Sequence, residues 1–186
     1  EANKAFGEIK QIYEKYQNMT NAYDENSEVY KINTSKEKKI EVSDELLEIL
    51  VLGNEWYDKS NGLFNINMGN LIKTWKTARE EEKLPKKLNH KITKLKIEDN
   101  YIKNSNVNID LGAIAKGYAI DYMRQKYARH ETPLLISGSA SSSYLKGTNP
   151  NPKREGKWNI LINSSYKHDY GESVPLLISS LSPERA

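Results

Sequence analysis

Residues 108–121 read Asn-Ile-Asp-Leu-Gly-Ala-Ile-Ala-Lys-Gly-Tyr-Ala-Ile-Asp. The apolar run Val107 to Ile109 predicts a short strand that ends at Asp110. Gly112 gives a small turn, and the spacing predicts a long helix over Ile114 to Ala128, with Lys116 early in it. A strand–turn–helix of this kind directs unpaired backbone N–H groups and the positive end of the helix dipole at one point. That point suits a phosphate, and a carboxylate beside it suits a divalent cation held by the phosphate.

Working outward, 186 residues are enough for one substantial core and too few for two comfortable ones. Charged residues make up 28% and hydrophobic ones 37%, the composition of an ordinary soluble globular domain. The net charge is only +3, and lysines alternate with acids (Lys36 to Glu41, Arg79 to Lys83), which argues against nucleic acid as a partner. No apolar run approaches the ~18 residues of a membrane span. With no cysteine in the chain, thiolate metal sites, a cysteine nucleophile and disulfides are excluded.

Helices are predicted first and strands later. Ala2 to Gln17 has the helical spacing of an amphipathic helix, and Asn18 to Asn26 is polar and turn-rich. Lys38 to Val42 is extended. Ser43 caps the next helix, which carries Leu46, Leu47, Leu50, Val51 and Trp56 toward the interior and stops at Ser60-Asn61-Gly62. Phe64 to Met68 is ambiguous, and Gly69 to Lys76 is a short helix. Pro85 to His90 has the look of a linker. Lys94 to Glu98 and Tyr101 to Lys103 are strands around an Asp99-Asn100 turn, and Pro133 to Ser137, Ser142 to Lys146, Trp158 to Asn163 and Leu176 to Leu181 follow as strands. Only one strand–helix–strand unit is clear, so the expected class is α+β.

Asp110 to Asp121 resembles the D-L-G-G-I-A-K-G-Y-A-x-D signature of the ApbE family of FAD:protein FMN transferases, with Ala113 in place of the second glycine. Three further stretches agree in order. Tyr23 to Asn33 is similar to the family's Y-x-x-x-S-E-[LI]-x-x-[IF]-N. Ser60 to Asn65, followed by Leu71 and Trp75, is similar to T-x-G-x-F-D. Leu135 to Ser139 stands where members have a strand ending in G-G. The resemblance implies an ApbE-like, T-fold-related single domain over 1–186, with a mixed or antiparallel sheet and flanking helices. It also implies a chain incomplete at both ends, lacking the family's first strand and its C-terminal histidine and metal-ligand segment. Two departures stand out: Asn65 replaces the family's aspartate, and Gly138-Ser139 replaces the glycine pair.

Each candidate residue has a plainer alternative. Asp110 serves equally as a helix cap; the resemblance implies contact with the flavin nucleotide. Lys116 is either a solvated helix lysine or, as the family implies, a ligand of FAD. Tyr23 is one of twelve tyrosines, raised above the rest by its motif and able to stack on isoalloxazine or adenine. Ser27 and Glu28 are expected to shape their loop. Leu63, Phe64 and Asn65 follow a helix stop, with Phe64 a natural core anchor; the resemblance implies that they line the FAD pocket. It further implies that the Ala113 carbonyl ligates Mg²⁺. His90, His130 and His168 share no metal-ligand spacing and are expected at the surface.

The reaction implied is Mg²⁺-dependent transfer of FMN from FAD to a Thr or Ser hydroxyl of an acceptor protein, with release of AMP. Alternatives are an FAD pyrophosphatase yielding FMN and AMP, and a flavin-binding domain without turnover. No catalytic general base is evident from the sequence. The resemblance also implies work outside the cytoplasm, on the outer face of a bacterial membrane or in the periplasm, with a lipid anchor.

Overall fold

Two serine caps and an asparagine-rich turn organise the helical part of the chain. In the computed structural model the described residues are 2–85, 88, 93–104, 107–127, 133–138, 142–167 and 173–179. They divide into two units, Glu1–Tyr118 and Ala119–Ala186.

In the first unit, α1 (Ala2–Thr20) runs three residues beyond its predicted end. Ser27 then caps α2 (Glu28–Thr34) by accepting from the Tyr30 N–H at 2.9 Å. Little in its residues marks α2 as helical: it has seven, of which Val29, Ile32 and Thr34 are β-branched. Val29 and Ile32 are nevertheless buried, and α2 packs on α1. After β1 (Lys39–Glu41), Ser43 caps α3 (Asp44–Lys59), its Oγ accepting from the Leu46 N–H at 3.3 Å. The stop is as predicted. Asn61 and Gly62 take positive φ values of 52° and 83°, and the Gly62 N–H donates to the Tyr57 carbonyl at 2.8 Å.

The buried face of α3 differs from the predicted one. Leu46, Ile49, Leu50 and Gly53 are buried, whereas Val51 and Trp56 are 43% and 48% exposed. The stripe follows i, i+3, i+4, i+7 from Leu46. Gly53 is its closest approach, since a Cβ there would lie 2.7 Å from Ile66 Cδ1. Next come α4 (Gly69–Glu80), β2 (Ile97–Glu98) and β3 (Tyr101–Lys103). The three strands form an antiparallel sheet in the order β1-β3-β2, with Ile40 and Ile97 both opposite Ile102. Asp99 makes the β2–β3 turn at φ 53°. α5 (Ala115–Tyr127) begins in this unit.

In the second unit, α5 buries Ala119, Ile120, Met123 and Tyr127. β4 (Leu134–Ser137) pairs antiparallel with β5 (Ser143–Lys146), as the sequence predicts. The loop over 148–156, which carries Asn149-Pro150 and Asn151-Pro152, contains one 3₁₀ turn, Pro152–Arg154. The Trp158 ring N–H donates to the Gly147 carbonyl at 2.7 Å. β6 (Asn159–Lys167) and β7 (Ser173–Ser179) form a second antiparallel pair. No described helix is long and apolar enough to cross a membrane.

Candidate functional site

The segment leading to Asp110 is not a strand. Residues 107–110 have no ladder partner among the described residues, and side chains and turns supply their hydrogen bonds instead. Asn33 takes both backbone groups of Ile109: its Nδ2 donates to the carbonyl at 2.8 Å, and its Oδ1 accepts the N–H at 2.6 Å. Asn67 Oδ1 accepts the Asn108 N–H at 2.9 Å. The Gly69 N–H donates to the Asn108 carbonyl at 2.8 Å, and the Asp110 N–H donates to the Ile66 carbonyl at 2.9 Å. Val107, Ile109 and Leu111 are buried between these bonds. Their alternation resembles a strand because every second side chain points inward, but the polar backbone is satisfied by amides rather than by a neighbouring strand.

Asp110 emerges half-buried from this scaffold. Its Oδ1 accepts the Gly112 N–H at 2.9 Å, an Asx turn that starts the approach to α5. The expectation that the N–H groups after Asp110 are open holds in part: those of Leu111, Ala113, Lys116 and Gly117 have no acceptor among the described residues, and the others are taken. The Gly112 N–H is taken by Asp110, and the Ile114 and Ala115 N–H groups both donate to the Leu111 carbonyl at 3.0 and 2.9 Å. The ladder resumes where Tyr118 N–H donates to the Ile114 carbonyl at 3.0 Å. It skips Gly112 and Ala113, whose carbonyls accept from no donor among the described residues. Both residues are exposed, and so is Lys116.

Tyr23 meets Asp110 across 87 positions of sequence, its hydroxyl donating to Asp110 Oδ2 at 3.3 Å. The ring is 56% exposed. Lys76, on α4, donates from Nζ to the Tyr23 hydroxyl oxygen and sits 4.0 Å from the ring centroid. The sequence analysis did not single out Lys76. It lies on the exposed face of a helix, where a lysine carries no signal of its own, and only the fold brings it to Tyr23.

Ser27 and Glu28 shape the loop, as expected. Ser27 caps α2, and its hydroxyl donates to the Asn21 carbonyl. Glu28 accepts from both the N–H and the hydroxyl of Ser43, at 2.6 and 2.7 Å, so one carboxylate ties the start of α2 to the cap of α3. In the turn after α3, Ser60 Oγ accepts the Phe64 N–H at 2.8 Å. Leu63 is 90% exposed, Phe64 is half-buried and Asn65 is buried. Asn65 is engaged at both ends: Oδ1 accepts the Asn67 N–H at 2.8 Å, and Nδ2 donates to the Thr93 carbonyl at 3.3 Å. It supports Asn67, which in turn holds Asn108.

Tyr118, within the signature, donates to Glu48 and meets Tyr16 edge-to-face at 5.5 Å between centroids. Burial, then the bond to the Glu48 carboxylate, pushes its phenol well above the usual range. His90, His130, His168 and Ser139 lie outside the described residues. Among the described residues no three His, Cys, Asp or Glu side chains cluster to hold a metal. The oxygens that this turn offers to a ligand are those of the Asp110 carboxylate and the Gly112 and Ala113 carbonyls.

A family model for ApbE matches residues 2–182. The chain belongs to the ApbE family. Similar solved structures carry the same fold. The flavin transferase ApbE from Vibrio cholerae is 20% identical, with a TM-score of 0.67 over 95% of this chain and 60% of its own. The ApbE protein from Thermotoga maritima is 20% identical, with a TM-score of 0.70 over 96% and 60%. The flavinyl transferase ApbE from Pseudomonas stutzeri, in its apo form, is 18% identical, with a TM-score of 0.69 over 95% and 59%. This ApbE-family chain therefore spans about three fifths of the length of those structures. No curated protein sequence matches it. The expected α+β, ApbE-like fold is the fold observed.

Proposed function

We propose that the protein transfers FMN from FAD to a Thr or Ser hydroxyl of an acceptor protein and releases AMP. The observation that carries this proposal is the meeting of Asp110, from the family signature, with Tyr23, from a separate family motif, through a 3.3 Å hydrogen bond in an ApbE-family fold.

In the reaction the acceptor oxygen attacks the FMN-side phosphorus of FAD. A phosphoester bond forms, the bond from that phosphorus to the bridging oxygen breaks, AMP leaves with that oxygen, and the hydroxyl proton passes to solvent. The anionic diphosphate repels an oxygen nucleophile, so positioning and positive charge lower the barrier. Lys116, exposed near the start of α5 and two residues past the 112–114 turn, would supply that charge. Tyr23 offers an exposed ring for stacking on flavin or adenine, Asp110 contacts the nucleotide, and Leu63, Phe64 and Asn65 line the flavin pocket.

The donor chemistry fits Mg²⁺, a hard cation that takes few protein oxygens and completes its shell with water and substrate phosphates. The Ala113 carbonyl, left out of the α5 ladder, would hold it. When bound it supplies charge neutralisation at the phosphates. Under this reading the protein works outside the cytoplasm, on the outer face of a bacterial membrane or in the periplasm, tethered by a lipid.

Incubating the intact protein with FAD, Mg²⁺ and a Thr-containing acceptor, then reading in-gel flavin fluorescence and AMP, tests the proposal. Covalent flavin on the acceptor with equimolar AMP is expected. Free FMN with AMP would identify a hydrolase instead, and unchanged FAD would refute turnover.

A further inference from the structure

Lys76 is held in an unusual way for an exposed lysine. Its ammonium lies 4.0 Å from the Tyr23 ring centroid and donates to that ring's hydroxyl oxygen. The hydroxyl in turn donates to Asp110 at 3.3 Å. The Tyr23 backbone is fixed as well, its N–H donating to Asn21 Oδ1 at 3.0 Å. Among the described residues Lys76 makes no salt bridge with an acidic side chain. Its partner is the aromatic ring itself.

We propose that Lys76 is the positioning residue for Tyr23: it holds the hydroxyl end of the ring and fixes its plane, so that the exposed ring is presented to the planar end of a flavin dinucleotide. The inference rests on the flavin reading above. A cation over an aromatic face is attracted by the ring quadrupole, and the lysine-to-hydroxyl-to-carboxylate chain fixes the rotation that this attraction leaves free. An exposed tyrosine without such a clamp loses rotamer freedom when a ligand stacks on it; a clamped one has lost it already. Because the ring plane is fixed before the ligand arrives, the orientation of the bound ring system is set along with its affinity. The sequence around Lys76 shows none of this, since the lysine acts through a tyrosine 53 positions away.

The test is titration of the intact protein with FAD and, separately, with riboflavin, which has no phosphate, read by flavin fluorescence. Wild type, Lys76→Met, Lys76→Arg, Tyr23→Leu and the Lys76→Met/Tyr23→Leu double variant are compared. Methionine keeps length without charge, and arginine keeps a cation able to stack and donate. Lys76→Met should weaken both ligands by the same factor, about fivefold. Lys76→Arg should restore most of that loss, and the double variant should bind like Tyr23→Leu alone. A loss for FAD with none for riboflavin would overturn the proposal by showing a direct phosphate contact, as would unchanged affinities or losses that multiply in the double variant. Wild-type protein that binds neither ligand would remove the flavin reading and this inference with it. Wild-type binding with an indifferent Lys76→Met would remove the role of Lys76 alone.

Discussion

Asn33 holds Ile109 by both of its backbone groups, accepting the N–H at 2.6 Å and donating to the carbonyl at 2.8 Å from 76 positions away. The Asp110 carboxylate is thus only one residue removed from a fixed point. Replacing Asn33 with Ala strands both groups of a buried residue. The expected loss of stability is about 2 kcal/mol, measured by urea denaturation. Asn33→Asp keeps the acceptor and loses the donor, so it should fall between the two. Equal stability of Asn33→Ala and wild type would show that the latch contributes nothing.

Glu28 and Ser43 form a second tie. Ser43→Ala removes the α3 cap and one Glu28 bond together, and a loss of about 1 kcal/mol is expected. Glu28→Ala should cost a similar amount, and the two losses should not add in the double variant, because they share a hydrogen bond. Simple additivity in denaturant midpoints would contradict this coupling.

Gly69 begins α4 against Asn108. A Cβ there would lie 2.1 Å from Asn108 Oδ1 and 2.8 Å from its backbone carbonyl oxygen. The side-chain oxygen can rotate away, but the backbone cannot move without shifting the segment that carries Asp110. Gly69→Ala should destabilise by about 1–3 kcal/mol and weaken FAD binding as well. Gly117→Ala is the control, since its Cβ would meet nothing within 4 Å. A neutral Gly69→Ala would mean that the segment yields freely.

Tyr118 gives a pH signature. Burial and the Glu48 carboxylate raise its folded-state pKa, so the native protein keeps this proton while the unfolded chain releases it near about pH 10. The unfolded state then binds fewer protons, and stability falls as pH rises. The contribution is fully present below the unfolded value and declines above it. Tyr118→Phe should flatten that part of the decline above about pH 10; parallel curves for the two proteins would refute the assignment.

Local chemistry was legible in the sequence wherever a residue acts on its near neighbours. Ser43 as a cap, Ser60-Asn61-Gly62 as a stop, the β4–β5 pairing and the loop roles of Ser27 and Glu28 all work within a few positions or within a hairpin. The sequence was silent where the partner is distant. Asn33 and Asn67 are unremarkable amides, and Asn65 stands out only as a pocket candidate, until the fold sets them against 107–110 and Thr93. The alternation in that segment therefore suggested a strand. Lys76 is invisible for the same reason. The face of α3 was misplaced because Val51 and Trp56 are hydrophobic enough to suggest burial, while Gly53, which marks the true contact with Ile66, has no side chain to signal it.

Titration calorimetry of FAD into wild-type protein and into Asp110→Ala and Asp110→Asn, each in Mg²⁺, tests the central claim most directly. Asp110→Asn can still accept the Gly112 N–H and preserve the turn, so it separates charge from folding. The account predicts saturable FAD binding by wild type and a loss of about tenfold or more, about 1.4 kcal/mol, in both variants. Affinity unchanged in both would contradict a flavin site at Asp110.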